Sequence, residues 1–246
     1  MGGAASFSCL TPGANTEPKF RIGRHVTEID ARRKLMRRFV IGLMVAAMAA
    51  IGFGGVGALA DPSSNWQLAD GSAQGSGGIA SFDFSVPDKT HLLYNSKDSL
   101  LLGDLSTSTM TATFTESGVS AGATFTYGGE GTASNPCGSP ATVRLFFESI
   151  PPGTKFAFTN YWWSNPVGVN LADLAGAMSV SVADPSQWSD WDGHMANFSP
   201  EVTAAFHAAA SNVTLVGLSF GGGCFFENGV GTSDGSGTFT LNAFSS

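Results

Sequence analysis

Four rings stand where a ligand could reach them. Tyr161, Trp163, Trp188 and Trp191 lie in or near loops, with Asn160, Asp190 and Asp192 beside them. Such rings stack on the faces of sugars while amide and carboxylate groups bond the hydroxyls. The set points to a glycan or cell-surface polysaccharide as partner and assigns no catalytic residue. The segment Asp190-Trp191-Asp192-Gly193, with Asp184 upstream, also offers the oxygen ligands a structural calcium ion uses, although the full EF-hand spacing is missing. No other cofactor is implied. His91, His194 and His207 are too scattered to suggest zinc.

Two enzyme chemistries compete with that reading. A glycosidase needs two carboxylic acids facing each other across a cleft, and Glu116, Glu130, Glu148, Glu201 and Glu227 all qualify by chemistry. No spacing selects a pair from them. Glu227 stands out, because Phe225 and Phe226 beside it would raise its pKa toward that of a general acid. A serine hydrolase is suggested by Gly217-Leu218-Ser219-Phe220-Gly221, which matches G-x-S-x-G. That elbow needs a helix after the turn and a histidine later in the chain. Here glycines and Cys224 follow, and the last histidine is His207, so the match is chance. The expectation is a non-catalytic carbohydrate-binding or surface-adhesion module. The alternatives are a glycan-active hydrolase using paired carboxylates, and a structural envelope or matrix protein that binds other proteins.

These residues must be held by strands. Residues 79–86 alternate, with Phe82, Phe84 and Val86 on one face, and residues 106–115 alternate with Met110, Ala112 and Phe114 inward. The threonines between them read as ordinary β-branched strand surface. Residues 100–102 form a short apolar run. Residues 142–149 and 154–164 read as a hairpin joined at Pro151-Pro152-Gly153, with Phe156, Phe158, Asn160 and Trp162 on one face of the second strand and Tyr161 and Trp163 on the other. A helical turn near residues 170–175 precedes a strand with Met178, Val180 and Val182 inward, and residues 184–198 read as a loop. Ser199 as N-cap, Pro200 at the first position and Glu201 in the first turn start the one helix, with Val202, Ala205, Phe206 and Ala209 as its apolar stripe. Residues 213–244 hold two long strands around a glycine-rich connection, burying Val216, Leu218, Phe220, Phe239 and Leu241 at the centre of a sheet. Many short strands with one helix near residues 200–210 predict an all-β fold, an antiparallel β-sandwich of jelly-roll type.

Residues 1–60 read as a targeting segment. Arg32, Arg33, Lys34, Arg37 and Arg38 precede an apolar run over residues 39–56, and Ala58-Leu59-Ala60 supplies a cleavage signal before Asp61. Translation from Met36 gives a compact secretory signal; translation from Met1 gives a longer one resembling a twin-arginine signal. Glycines 42, 52, 54, 55 and 57 weaken the rival reading of an uncleaved membrane anchor, so no stable span is expected after cleavage. Residues 61–78 read as a flexible linker and residues 79–246 as a single domain. From Asp61 onward, Lys89, Lys97, Arg144 and Lys155 face sixteen acidic residues, a net charge of −12. That field repels phosphate backbones and argues against nucleic acid as a partner. Cys137 and Cys224 remain after cleavage, an even pair that predicts a disulfide and a secreted, extracellular or periplasmic location. Nothing in the pattern speaks to oligomeric state.

The run GLSFGGGCFFENGVGTSDGSGTFTLNAF within residues 213–244 resembles the closing strands of galactose-binding-like jelly rolls of secreted bacterial proteins. Laminin-B-like domains, carbohydrate-binding modules and sorted surface proteins share that architecture. The resemblance implies a jelly-roll fold much more strongly than any ligand. The chain departs from the sorted surface proteins at its end, Ser246, which lacks their apolar tail and basic terminus.

Overall fold

A computed structural model describes residues 65–69, 79–85, 89–150 and 157–246. The predicted targeting segment, the Pro151-Pro152-Gly153 turn, and the inward placements of Val86 and Phe156 lie outside the described residues. The fold is an antiparallel β-sandwich. One sheet contains β1 (Trp66–Leu68), β3 (Leu92–Asn95), β6 (Thr142–Glu148), β7 (Tyr161–Ser164), β8 (Val169–Asn170), β10 (Trp188–Asp190) and β11 (Leu215–Gly221). Its strand order is β1-β3-β11-β6-β7-β10, with β8 also paired to β6. The second sheet contains β2 (Ala80–Asp83), β4 (Thr109–Ser117), β9 (Ala175–Ser181) and β13 (Thr238–Ser245), in the order β2-β13-β4-β9. A two-stranded ribbon pairs β5 (Phe125–Tyr127) with β12 (Val230–Thr232).

Side chains alternate across each strand, so one set of residues from each sheet fills the space between them. From the larger sheet these are Leu93, Val143, Leu145, Phe147, Trp162, Val216, Leu218 and Phe220, and from the smaller Phe82, Met110, Phe114, Met178, Val180, Phe239 and Leu241. Phe220 joins the layers, with its ring edge-on to Phe82 at 5.3 Å and to Phe239 at 5.0 Å. The two long strands of the C-terminal run are thus each central, but in opposite sheets: β11 lies between β3 and β6, and β13 between β2 and β4.

The helix α1 (Pro200–Ala210) forms where its caps predict. Ser199 accepts a hydrogen bond from the Val202 N–H at 3.3 Å, and Pro200 costs no hydrogen bond at the first position. Phe206 is the helix's contact with the larger sheet, 4.9 Å from Trp162, 5.9 Å from Phe147 and 6.4 Å from Trp188. Burying each ring of this size contributes roughly 1.5–3 kcal/mol.

The structure corrects four sequence expectations. The stretch assigned to a flexible linker holds β1, because Trp66 finds a core seat edge-on to Phe244 at 5.0 Å. Within the strand expected over residues 154–164, Phe158–Asn160 forms a 3-10 turn ahead of β7, so Phe158 and Asn160 do not share a strand face with Trp162. Residues 184–198 are not wholly a loop, since β10 pairs with β7 through Trp188↔Ser164 and Asp190↔Trp162. Leu100, in the short apolar run, is exposed in a turn.

Candidate functional site

In a two-layer sandwich the outward residues of each strand ordinarily meet water. On the larger sheet they do not. The outward set of β6 is Arg144, Phe146 and Glu148, that of β7 is Tyr161 and Trp163, and that of β3 is Leu92 and Tyr94. Leu92, Phe146, Tyr161 and Trp163 form a second apolar cluster, separate from the sandwich core and flanked by Tyr94, Leu215 and Phe226. Phe146 and Tyr161 stack at 5.3 Å, and Tyr161 and Trp163 touch at 4.5 Å. Register places Gln67, Tyr94, Gly217, Phe146 and Trp163 in one row across five strands. Gly217 leaves the centre of that row bare. A Cβ there would run into the Leu93 carbonyl and come within 2.8 Å of Tyr94 Cα, so only glycine fits.

The cover over this face comes from residues 222–229, which fold back after β11. Their anchor is dense. Cys224 is disulfide-bonded to Cys137, as the cysteine count predicts. The Asn135 carboxamide accepts from the Cys224 N–H at 2.7 Å and donates to the Gly222 carbonyl at 3.2 Å. Asn228 accepts from the Gly222 N–H at 2.8 Å and donates to the Gly128 carbonyl at 2.6 Å. Gly223 takes φ +67°, open to glycine without strain. So held, the segment lays Phe226 against Trp163, ring centres 6.0 Å apart, and beneath the Arg144 guanidinium, 4.2 Å from the ring centre. The next residue, Glu227, reaches the Tyr161 hydroxyl.

Tyr161 is the meeting point of two carboxyl groups. Its hydroxyl feels the charge of both Glu227 and Glu148. Burial and the two neighbouring charges push its pKa well up, so it stays a hydrogen-bond donor. Glu148 keeps part of its side chain at the surface, but its carboxyl is closely surrounded by protein. Desolvation raises its pKa to about 7, with the Tyr161 hydrogen bond pulling the other way. Tyr94 stands nearby, its pKa raised by burial and by the charge of Glu148, and its hydroxyl donates to Gln67 Oε1 at 2.8 Å.

Several buried polar atoms here have no hydrogen-bond partner: Arg144 Nε, Trp163 Nε1 and Ser219 Oγ. Ser219 and Arg144 are direct cross-strand neighbours. Arg144 does satisfy one nitrogen, donating to the carbonyls of Ser164 at 2.8 Å and Val167 at 3.1 Å, and burial lowers its pKa to about 10. Each unmade hydrogen bond on a buried polar group costs about 1–3 kcal/mol, so such atoms mark a place where a ligand or water completes the set.

The sequence-selected residues divide. Tyr161 and Trp163 share this face and are both nearly buried. Trp191 leans over them, 5.4 Å from Tyr161 and 5.3 Å from Trp163, and remains 39 % exposed. Trp188 belongs to the sandwich core, its indole N–H donating to the Ser181 carbonyl at 2.9 Å. Asn160 serves the backbone, accepting from the Ala157 N–H at 3.0 Å and donating to the Ser149 carbonyl at 2.8 Å. Asp190 is buried and accepts from the N–H groups of Asp192 and His194 at 3.0 and 2.9 Å, while Asp192 is exposed. Asp184 caps a 3-10 turn (Pro185–Gln187) through Ser186 and Gln187. Because Asp184 and Asp190 spend their oxygens on local donors, the calcium set does not assemble. Among the described residues no three His, Cys, Asp or Glu side chains converge on a metal-sized site.

Sequence reasoning considered Glu148 and Ser219 without selecting them, and missed Gln67, Tyr94 and Arg144. One signal was available. In Arg144-Leu145-Phe146-Phe147-Glu148 the outward face holds a phenylalanine between two charges, which an uncovered strand seldom does. Ser219, in the G-x-S-x-G match, sits within β11, which runs on to Gly221 without the turn an elbow needs. A cleft of about 530 Å³ lies elsewhere, bordered by Val119, Phe125, Glu130 and Leu174. Ser120, Thr124, Ser139 and Asn170 also line it.

Among the described residues no helix is long and apolar enough to cross a membrane. No protein-family profile, curated protein or solved structure matches the chain.

Proposed function

We propose that the covered outer face of the larger sheet is a carbohydrate-binding site and that the protein is an exported binding or surface-adhesion module. The observation that carries this reading is the combination on one face of Trp191, an accessible flat ring, with three buried atoms that make no hydrogen bond, Arg144 Nε, Trp163 Nε1 and Ser219 Oγ. A sugar offers a CH face to the ring and hydroxyls to Arg144, Ser219 and Trp163. Tyr94 and Gln67 extend the polar row along the sheet. Export agrees with the basic and apolar pattern of residues 32–60 and with the Cys137–Cys224 bond. The strand orders β3-β11-β6-β7 and β2-β13-β4-β9, with successive strands crossing between sheets, support the jelly-roll reading and the galactose-binding-like resemblance.

The test is a glycan array and a polysaccharide pull-down with the chain from Asp61 onward. Trp191→Ala should weaken binding by about 1–3 kcal/mol, the cost of losing a stacking ring, with the melting temperature unchanged. An array on which no glycan binds ends the proposal. N-terminal sequencing of the exported product should begin at Asp61.

A further inference from the structure

We propose that β9 is a docking edge for a second copy of this chain: two β9 strands pair antiparallel about a two-fold axis and join the two smaller sheets into one. The inference is independent of the carbohydrate-binding reading. An open sheet has two edges whose backbone groups could pair with another chain, and proteins blunt them with short strands, charges, prolines, bulges or a covering segment. Three of the four edges of the two main sheets are blunted in these ways. β1 and β10 have three residues each. β10 is also closed by the chain that follows it, through the Ser189↔Met195 bridge and the Ala196 N–H, which donates to the Trp188 carbonyl at 2.8 Å. β2 has four residues and ends on the exposed Asp83. β9 differs. It runs seven residues, Ala-Gly-Ala-Met-Ser-Val-Ser, with no charge, proline or bulge.

Hydrogen bonding fixes which backbone groups of β9 are open. The Glu116 N–H donates to the Leu174 carbonyl and the Val182 N–H to the Ser108 carbonyl, both at 2.9 Å, so the even-numbered residues between Leu174 and Val182 exchange their bonds with β4. The N–H and C=O of the odd-numbered residues point away from β4. Those of Ser181 are occupied: its N–H donates to Gln187 Oε1 at 3.3 Å and its carbonyl accepts from the Trp188 indole at 2.9 Å. Among the described residues no backbone group pairs with Ala175, Ala177 or Ser179 on that side. Their side chains are small and exposed, which lets a second backbone approach.

The open groups are self-complementary. With Ala177 on the two-fold axis opposite its own copy, Ala175 meets Ser179 of the partner subunit, and every open N–H finds an open carbonyl in a hydrogen-bonded antiparallel ladder. The same register sets the exposed Asp173 level with Ser181 of the partner subunit, so the two aspartates do not face each other across the seam. A pair also presents the outer face of the larger sheet twice, which raises affinity for any repetitive surface that face binds.

The test is sedimentation velocity on the full chain and on the chain from Asp61 onward, over a micromolar to submillimolar concentration series, with residue-resolved amide hydrogen exchange at both ends of the series. The expected result is a monomer–dimer equilibrium in which dilution frees the amides of Ala175, Ala177 and Ser179 while those of Gly176, Met178 and Val180 stay protected. That measurement needs no variant to fold. Ala177→Lys sets two like charges opposite each other on the seam and should weaken the pair about tenfold or more. Ser179→Pro removes an N–H that serves only the seam and should weaken it as well. Thr113→Lys places an equal charge on β4 directly beside Ala177, away from the edge, and should leave the dissociation constant within about threefold. A chain that stays monomeric at every concentration overturns the proposal. A dimer that survives both seam variants, or that forms while the amides of Ala175, Ala177 and Ser179 keep exchanging fast, overturns it equally, because the contact then lies on another surface.

Discussion

Trp162 and Trp163 are neighbours on one strand, and the two faces of the larger sheet treat them differently. Trp162 points inward, is fully buried against Phe206, and its indole N–H donates to the Thr159 carbonyl at 2.9 Å. Trp163 points outward, is almost as deeply buried at 5 % exposure, and its indole N–H meets no acceptor. Trp188, another indole of the sandwich core, is satisfied as well. A buried ring with a satisfied edge contributes to stability. A buried ring with an unsatisfied edge retains a binding capacity at a cost in stability, and sites that bind are where folds tolerate that cost.

Substitution can break this comparison, and the largest effect belongs to the inner face. Trp162→Ala should lower stability by about 3–5 kcal/mol in urea unfolding, from lost burial and the cavity left beside Phe206. A loss under about 1 kcal/mol would mean that the inner face is not the core. The Cys137→Ser, Cys224→Ser double variant comes next, at about 2–5 kcal/mol, because the bridge closes a sequence separation of 87 residues. It also frees the segment that carries Phe226 and Glu227. The outer face should loosen first, visible as faster hydrogen exchange over residues 222–229 than over β4.

Acid titration sharpens the contrast. A carboxyl whose pKa is raised on folding binds its proton more tightly folded than unfolded, so its contribution is fully present below the ordinary glutamate value of 4.5 and lost as pH rises through the folded value. Those folded values are about 7 for Glu148, through desolvation, and about 8 for Glu116, through desolvation and then the charge of Asp173. Glu116 faces inward at the end of β4 with neither carboxyl oxygen hydrogen-bonded. The melting temperature should therefore be higher at pH 5 than at pH 9, by several degrees, and Glu116→Gln together with Glu148→Gln should flatten the curve. A melting temperature that climbs over that range would show that neither group is desolvated as described.

The smallest effects are the most discriminating. Trp163→Phe keeps a ring on the outer face and removes the unsatisfied N–H, so it should change stability by less than about 1 kcal/mol, whereas Trp162→Phe should cost more because it orphans the Thr159 carbonyl. Equal costs for the two would erase the distinction between the faces. Trp191→Ala, at an exposed ring, should stay within about 0.5 kcal/mol of the parent.

Much of this architecture was legible before any coordinates. Alternation in residues 106–115 and 213–244 reports burial on one face directly, since a strand has a period of two and the core is apolar. The caps of α1 and the cysteine pair are equally local signals, which is why they held. Three features escaped. β1 was hidden because three residues carry too short a pattern to rise above a polar surround. β10 was hidden because Trp188-Ser189-Asp190 becomes a strand only through pairing with β7.

The gathering of Glu148 and Glu227 around Tyr161 is the third, and it shows where the sequence's authority stops. Composition and periodicity by themselves determined an all-β sandwich, most of its inward residues, its helix at residues 200–210 and its Cys137–Cys224 pair, because each follows from a local pattern or a count. They marked Glu227 as an acid with apolar neighbours and left Glu148 among the four other glutamates. Only the tertiary structure brought Glu148, Tyr161 and Glu227 together, from positions 148, 161 and 227. That meeting depends on the register of β6 with β7 and on the disulfide-bound path of residues 222–229. Neither is encoded in the identity of the three residues. Register and loop path are settled by the packing of the whole sandwich, so contacts between distant residues appear only once that packing exists.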